Sequence, residues 1–96
     1  MSRTADFDKA IRRVTQDRFK DYGHPLDGFM CAALIKDAVA PCPHPAVRHA
    51  LEQIGVKMSR LCSDPSHSDS VHDIAGYARC ISMILDEEEK RNGQAK

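Results

Sequence analysis

The apolar positions of this chain recur at helical spacing in four stretches. In residues 4–22, Phe7, Ala10, Ile11 and Val14 fall three or four apart, which is one face of an α-helix, and Gly23 suits the position just past its end. Residues 26–39 read as a second, shorter helix with Leu26, Phe29, Met30, Ala33 and Leu34 apolar; Gly28 weakens its first turn. A third helix is predicted over 45–62, where Pro45 is pre-set for the first helical position. Its Val47, Leu51, Ile54, Met58 and Leu61 step alternately by four and three, the seam of a packed bundle. The fourth and strongest pattern covers 69–91, with Val71, Ile74, Ala75, Ala78, Ile81, Ser82 and Leu85 as its stripe and Ser68 or Asp69 as its N-cap. No segment alternates with period two over a useful length, so no sheet is expected. The expected fold class is all-α, a bundle of three to four helices.

The breaks between these stretches carry their own information. Gly23 with Pro25 ends the first pattern, and residues 40–45 hold three prolines that form a rigid connector. Residues 63–68 are a polar turn, and 92–96 are expected to fray. A six-residue turn favours an antiparallel hairpin of the third and fourth helices. Folding the sequence about its middle sets Arg60 near Val71, Lys57 near Ile74 and Glu52 near Arg79, to within about one helical turn. Glu52 and Arg79 are then candidates for a cross-hairpin pair, while Lys57 and Arg60 face the region of Asp69 and Asp73.

Length and charge narrow the function classes. Ninety-six residues make one domain, 1–96, and 14 Lys+Arg against 14 Asp+Glu leave no net charge. That excludes a nucleic-acid binder working through bulk positive charge. It also leaves nothing to hold copies of the chain apart. No run of 18 apolar residues exists to span a membrane. The start, MSRTADFDKAIRR, has no apolar h-region, so a cytoplasmic protein without a signal peptide is expected, its four cysteines free thiols. A domain this small buries only about 60–65% of its unfolded surface. With apolar stripes on at least three helices, a homo-oligomer, dimer or tetramer, is the expected partner arrangement.

Three polar blocks stand out. Residues 17–25 (DRFKDYGHP) crowd four charges, a Tyr and a His around a Gly-X-Pro break, either a plain solvated helix end or a set of polar groups for a small ligand. Lys57 and Arg60 share one helix face at i and i+3, and Asp69 and Asp73 share another at i and i+4. Together they read as an ion network between helices, or as a site with cations for phosphate and carboxylates for metal or water. The Cys and His spacings fit no usual zinc set beyond a loose Cys42-Pro-His44, so no metal site is expected. Cys31 and Cys80 read as small buried hydrophobes, and Asp86 through Arg91 as a solvated helix end. Nucleophile-elbow, P-loop and dinucleotide fingerprints are absent.

DRFKDYGHP at 17–25, KMSRL at 57–61 and HSDSVHDIAGYA at 67–78 resemble, in that order, blocks of small phage-encoded MazG-like proteins, loosely part of the all-α nucleoside triphosphate pyrophosphatase superfamily. The resemblance implies an all-α fold in which helices of two chains complete one bundle, in the cytoplasm of an infected host cell. In active members it implies two acidic motifs, E-x-x-E and E-x-x-D, whose carboxylates hold Mg²⁺ against a triphosphate and activate water. On this chain the first falls at Lys57-x-x-Arg60 and the second at Ser70-x-x-Asp73, so only Asp73 keeps its acidic character. Mg²⁺ requires hard oxygen ligands, and each like-charge contact at a few Å costs on the order of a few kcal/mol. The expected function is therefore non-catalytic: binding of a nucleotide or of a host protein, with no cofactor. The alternatives are a nucleoside triphosphate pyrophosphohydrolase with a rebuilt site, which would need Mg²⁺, and a purely structural helical oligomer. Candidate ligand-binding residues are Lys20, Tyr22, His24, Lys57, Arg60, Asp69 and Asp73. Asp73 is expected as a buried counter-ion of Lys57 and Arg60, with about 3–5 kcal/mol lost on its removal.

Overall fold

The computed structural model describes residues 2–94, and for residues 19, 21, 22 and 94 the backbone alone. Four helices account for 87% of the described residues, with no strand among them. They are α1 (Arg3–Tyr22), α2 (Pro25–Val39), α3 (Pro45–Ser63) and α4 (Ser68–Gln94). The all-α expectation holds, with four helices rather than three. Helix α4 continues through Asn92 and Gly93 to Gln94, past the point where fraying was expected to begin; residues 95 and 96 lie outside the described part. None of the helices is long and apolar enough to cross a membrane.

The starts of the helices are set by local chemistry. Ser2 Oγ accepts from the backbone N–H groups of Thr4 at 3.2 Å and Ala5 at 3.4 Å, capping α1. The next three helices are capped by histidine. His24 Nδ1 accepts from Leu26 N–H at 3.1 Å, His44 Nδ1 from Val47 N–H at 3.2 Å, and His67 Nδ1 from Ser70 N–H at 3.1 Å. A prediction of Ser68 or Asp69 as the cap of α4 is thereby corrected, because the neutral imidazole offers the same acceptor one residue earlier. Between α1 and α2 the backbone turns at Gly23, whose φ of 74° is a left-handed conformation that a Cβ would strain.

Helix α3 is the centre of the molecule. It packs along α4, and α2 and α1 pack on its other side; among the described residues α4 packs on neither α1 nor α2. The α3–α4 hairpin is antiparallel with the expected register, since Lys57 meets Asp73 near the turn and His44 meets Glu88 at the far end. Arg79 does not join Glu52, however. Two residues past the half-buried Tyr77, it points about 200° away from the face on α3, and its Nη1 lies 3.1 Å from Met83 Sδ.

The seam keeps Ile74 and Ile81 of the expected α4 stripe and Val47, Leu51, Ile54 and Leu61 of the α3 stripe, but on α4 it is turned away from the rest. Ser70, Ile74, Tyr77, Ile81 and Ile84 are the buried and half-buried positions of α4, whereas Val71, Ala75, Ala78, Ser82 and Leu85 are exposed. On α3, Met58 is exposed while Gly55 and Ser59 are buried. Gly55 is required there: an added Cβ would run into the Ile35 side chain of α2, whose Cδ1 would lie 3.1 Å away. Ala50 is the one buried apolar side chain among the described residues. The radius of gyration is 17.9 Å, against about 12–13 Å for a compact globule of this length.

Candidate functional site

The turn ends of the helices gather two of the polar blocks. A Cβ on Gly23 would lie 3.6 Å from Ser63 Oγ, so the α1–α2 turn rests against the end of α3. Block 17–25 therefore reaches the same end of the molecule as block 57–73, a proximity that no local spacing in the sequence reveals.

Lys57 and Asp73 form the centre of the second block. Lys57 Nζ stands 3.3 Å from Asp73 Oδ2, with side-chain exposures of 19% and 47%. The pair is half-covered, with its carboxylate side open to water, and not the buried network expected from sequence. Arg60, one turn further along α3, is half-buried with its Nε shielded from solvent. Its backbone carbonyl accepts from Asp64 N–H at 2.9 Å, closing the helix. Asp69 is exposed in the first turn of α4, where its charge faces the positive end of the helix dipole. Beneath these residues Ser70 has no exposed surface, and its Oγ lies 2.9 Å from His67 Nδ1.

The remaining candidates are scattered. Lys20 is exposed in the last turn of α1, and His24 is exposed with its Nδ1 committed to capping α2. The side chain of Tyr22 lies outside the described residues.

The donor set does not fit Mg²⁺. An ammonium, not a second carboxylate, is the ion-pair partner of Asp73. Among the described residues no three His, Cys, Asp or Glu side chains gather as a cation site. Around the connector, Cys42 Sγ lies 3.7 Å from the His44 carbonyl, and Arg48 Nη1 donates to the Cys42 carbonyl at 2.8 Å. Cys80 is exposed and Cys31 half-buried, which corrects the expectation that both are buried; all four thiols are free. Glu88, expected as part of a merely solvated helix end, is the partner of His44.

One feature escaped the sequence reading. A pocket of about 330 Å³ opens between α1, α2 and α3, lined by Thr15, Arg18, Pro25, Phe29, Val56 and Ser59 among others. Its volume is in the range of small-molecule sites. Val56 and Ser59 each precede a member of the cation pair, so the pocket and the cations occupy neighbouring faces of α3, about 100° apart. The signal available in the sequence was the run of small residues at 55 and 59, one turn apart on α3.

A protein-family model matches residues 7–85, spanning every candidate above. The chain belongs to the DUF6378 family. That family is described as a domain of unknown function. The chain is also similar to the Gene 55 protein of Mycobacterium phage D29, with 32% identity over 80 residues that make up 83% of this chain and 53% of that protein. It thus spans about half the length of the curated relative it matches. No solved structure matches it. The DUF6378 segment takes in α2 and α3 whole, with most of α1 and α4, and stops three residues short of Glu88.

Proposed function

We propose that this DUF6378 chain is a non-catalytic, MazG-like helical protein that binds a phosphate-bearing small ligand, a nucleotide, at the turn end of α3 and α4. The observation that carries the reading is the Lys57–Asp73 ion pair. Where the resemblance places metal ligands, the chain has a cation already engaged with the one carboxylate that remains. Lys57 and Arg60 present ammonium and guanidinium groups one helical turn apart, the chemistry that grips phosphate without a metal. The neighbouring apolar pocket, with Phe29 and Val56 in its wall, offers a base or similar ring a place out of water.

The test is a panel of nucleoside mono-, di- and triphosphates with and without Mg²⁺ or Mn²⁺, read by thermal shift and by pyrophosphate release. Thermal stabilisation without turnover, lost in Lys57→Ala and in Arg60→Ala, is the expected result. Pyrophosphate release would bring the rebuilt enzyme forward. If no nucleotide stabilises the protein, the nucleotide reading falls, and a host-lysate pull-down then tests the protein-binding alternative.

A further inference from the structure

Resting on the nucleotide reading above, we propose that Arg18 is a further ligand-binding residue, and that its contact with a bound nucleotide orders helix α1 on the rest of the chain. Two observations meet at this residue. The first is how little α1 buries. Every described side chain of α1 is exposed, and its apolar line stays open, with Phe7 63%, Ile11 44% and Val14 60% exposed. Its packing on α2 and α3 is sparse beside that of α4 on α3. A 20-residue helix in that position is marginal in water, because most helical stability comes from tertiary packing of one face.

The second observation is the pocket between α1, α2 and α3, to which α1 contributes Thr15 and Arg18. The Thr15 hydroxyl is spent on its own helix, donating to the carbonyls of Ile11 at 3.0 Å and Arg12 at 2.9 Å. Pro25, Phe29, Ala32 and Val56 add carbon surface, and Arg18 is the one charged side chain among the residues lining the pocket. An exposed cation on an apolar chamber suits a ligand with a flat ring and an anionic group beside it, and a guanidinium takes phosphate through two parallel bonds. A nucleotide has that form. With its base against Phe29 and Val56, the phosphate next to the sugar meets Arg18, and the phosphates beyond it reach Lys57 and Arg60 on the neighbouring face of α3. The ligand then touches α1, α2 and α3 at once. It binds the ordered α1 and not the loose one, so binding and ordering are coupled. A nucleoside lacks the anion and a polyphosphate lacks the ring, so neither makes both contacts.

Hydrogen exchange of the full chain, run beside calorimetric titration, tests this with adenosine, AMP and ATP, with thymidine, dTMP and dTTP, and with tripolyphosphate. In the free chain the amides of α1 should exchange about tenfold or more faster than those of α3. A mono- or triphosphate of at least one series should slow the α1 amides about tenfold, while the nucleosides and tripolyphosphate should not. Arg18→Gln, at an exposed position, should abolish that slowing while the triphosphate still binds through Lys57 and Arg60. Lys9→Gln removes the same charge from the opposite side of α1, nine residues and about 180° away, and should leave the slowing intact. A triphosphate that binds in the titration without slowing α1, or that slows it equally in Arg18→Gln, overturns the role of Arg18 and leaves nucleotide binding standing. Amides of α1 as protected as those of α3 in the free chain overturn the coupled ordering. Absence of binding in both series overturns the nucleotide reading and the role of Arg18 together.

Discussion

His44 joins the start of α3 to the far end of α4 with a single imidazole. Its Nδ1 accepts from Val47 N–H, and its Nε2–H donates to the Glu88 carboxylate 44 residues away in sequence. The two roles require the same neutral tautomer, so neither competes with the other. The proline connector is thereby held to the hairpin at the end opposite the turn.

Replacing His44 removes both bonds. A lost N-cap costs about 1 kcal/mol, and the bond to half-exposed Glu88 adds at most about 1 kcal/mol after solvent screening. His44→Ala should therefore destabilise the protein by about 1–2 kcal/mol in urea denaturation. His44→Asn, which keeps an acceptor for the cap, should recover roughly half of that. Equal losses for both variants would show that the cap contributes nothing.

Gly55 and Ile35 form the tightest meeting of α2 and α3. Gly55→Ala gains about 1 kcal/mol of helix propensity but overpacks the contact at a cost of about 1–3 kcal/mol, so net destabilisation is expected. In an Ile35→Ala background the Cγ2 and Cδ1 contacts are gone and the Cβ at 3.2 Å remains, so the same substitution should cost less or become stabilising. That relief, measured by thermal unfolding, is the diagnostic; a loss of equal size in both backgrounds would place the clash elsewhere.

The Lys57–Asp73 pair should contribute little to stability. With Asp73 nearly half exposed, its removal costs about 1 kcal/mol or less, not the 3–5 kcal/mol expected of a buried charge. A double-mutant cycle of Lys57→Ala and Asp73→Ala measures the coupling directly. Millimolar Mg²⁺ should leave the melting temperature of the parent unchanged. A rise of several degrees that Asp73→Ala abolishes would mean that the site holds metal after all.

At the start of α4, His67→Ala should cost about 1 kcal/mol and His67→Asn much less. Ser70, with no exposed surface, should tolerate Ala but not Leu, because added bulk has no room at a site closed to solvent. Denaturant midpoints of the four variants check this; a tolerated Leu would show slack packing at the turn.

The positions of the four helices were legible in the sequence, because their causes are local. Pro45 sets a helix start, Gly23 a helix end, and the period of apolar residues does not depend on what packs against them. The hairpin register was legible for a similar reason: a short turn between two long helices leaves one way to fold, and Lys57 comes to lie beside Asp73. The rotation of α4 was not. Residues 70, 74, 77, 81 and 84 run beside 71, 75, 78, 82 and 85, and both lines hold apolar residues, so periodicity alone cannot say which faces α3. The choice falls to the first line, with Ser70 buried near the turn, Tyr77 and Ile81 half-buried along the seam, and Glu88 a turn beyond its end meeting His44. Likewise the sequence shows only a glycine at 55, and the approach of Ile35 gives that glycine its reason. The sequence by itself determined where this chain is helical and which charges share a face. Tertiary structure alone decided which apolar stripes are covered, because burial depends on the distance between helices, and that distance is set by small residues whose partners lie far away in the chain.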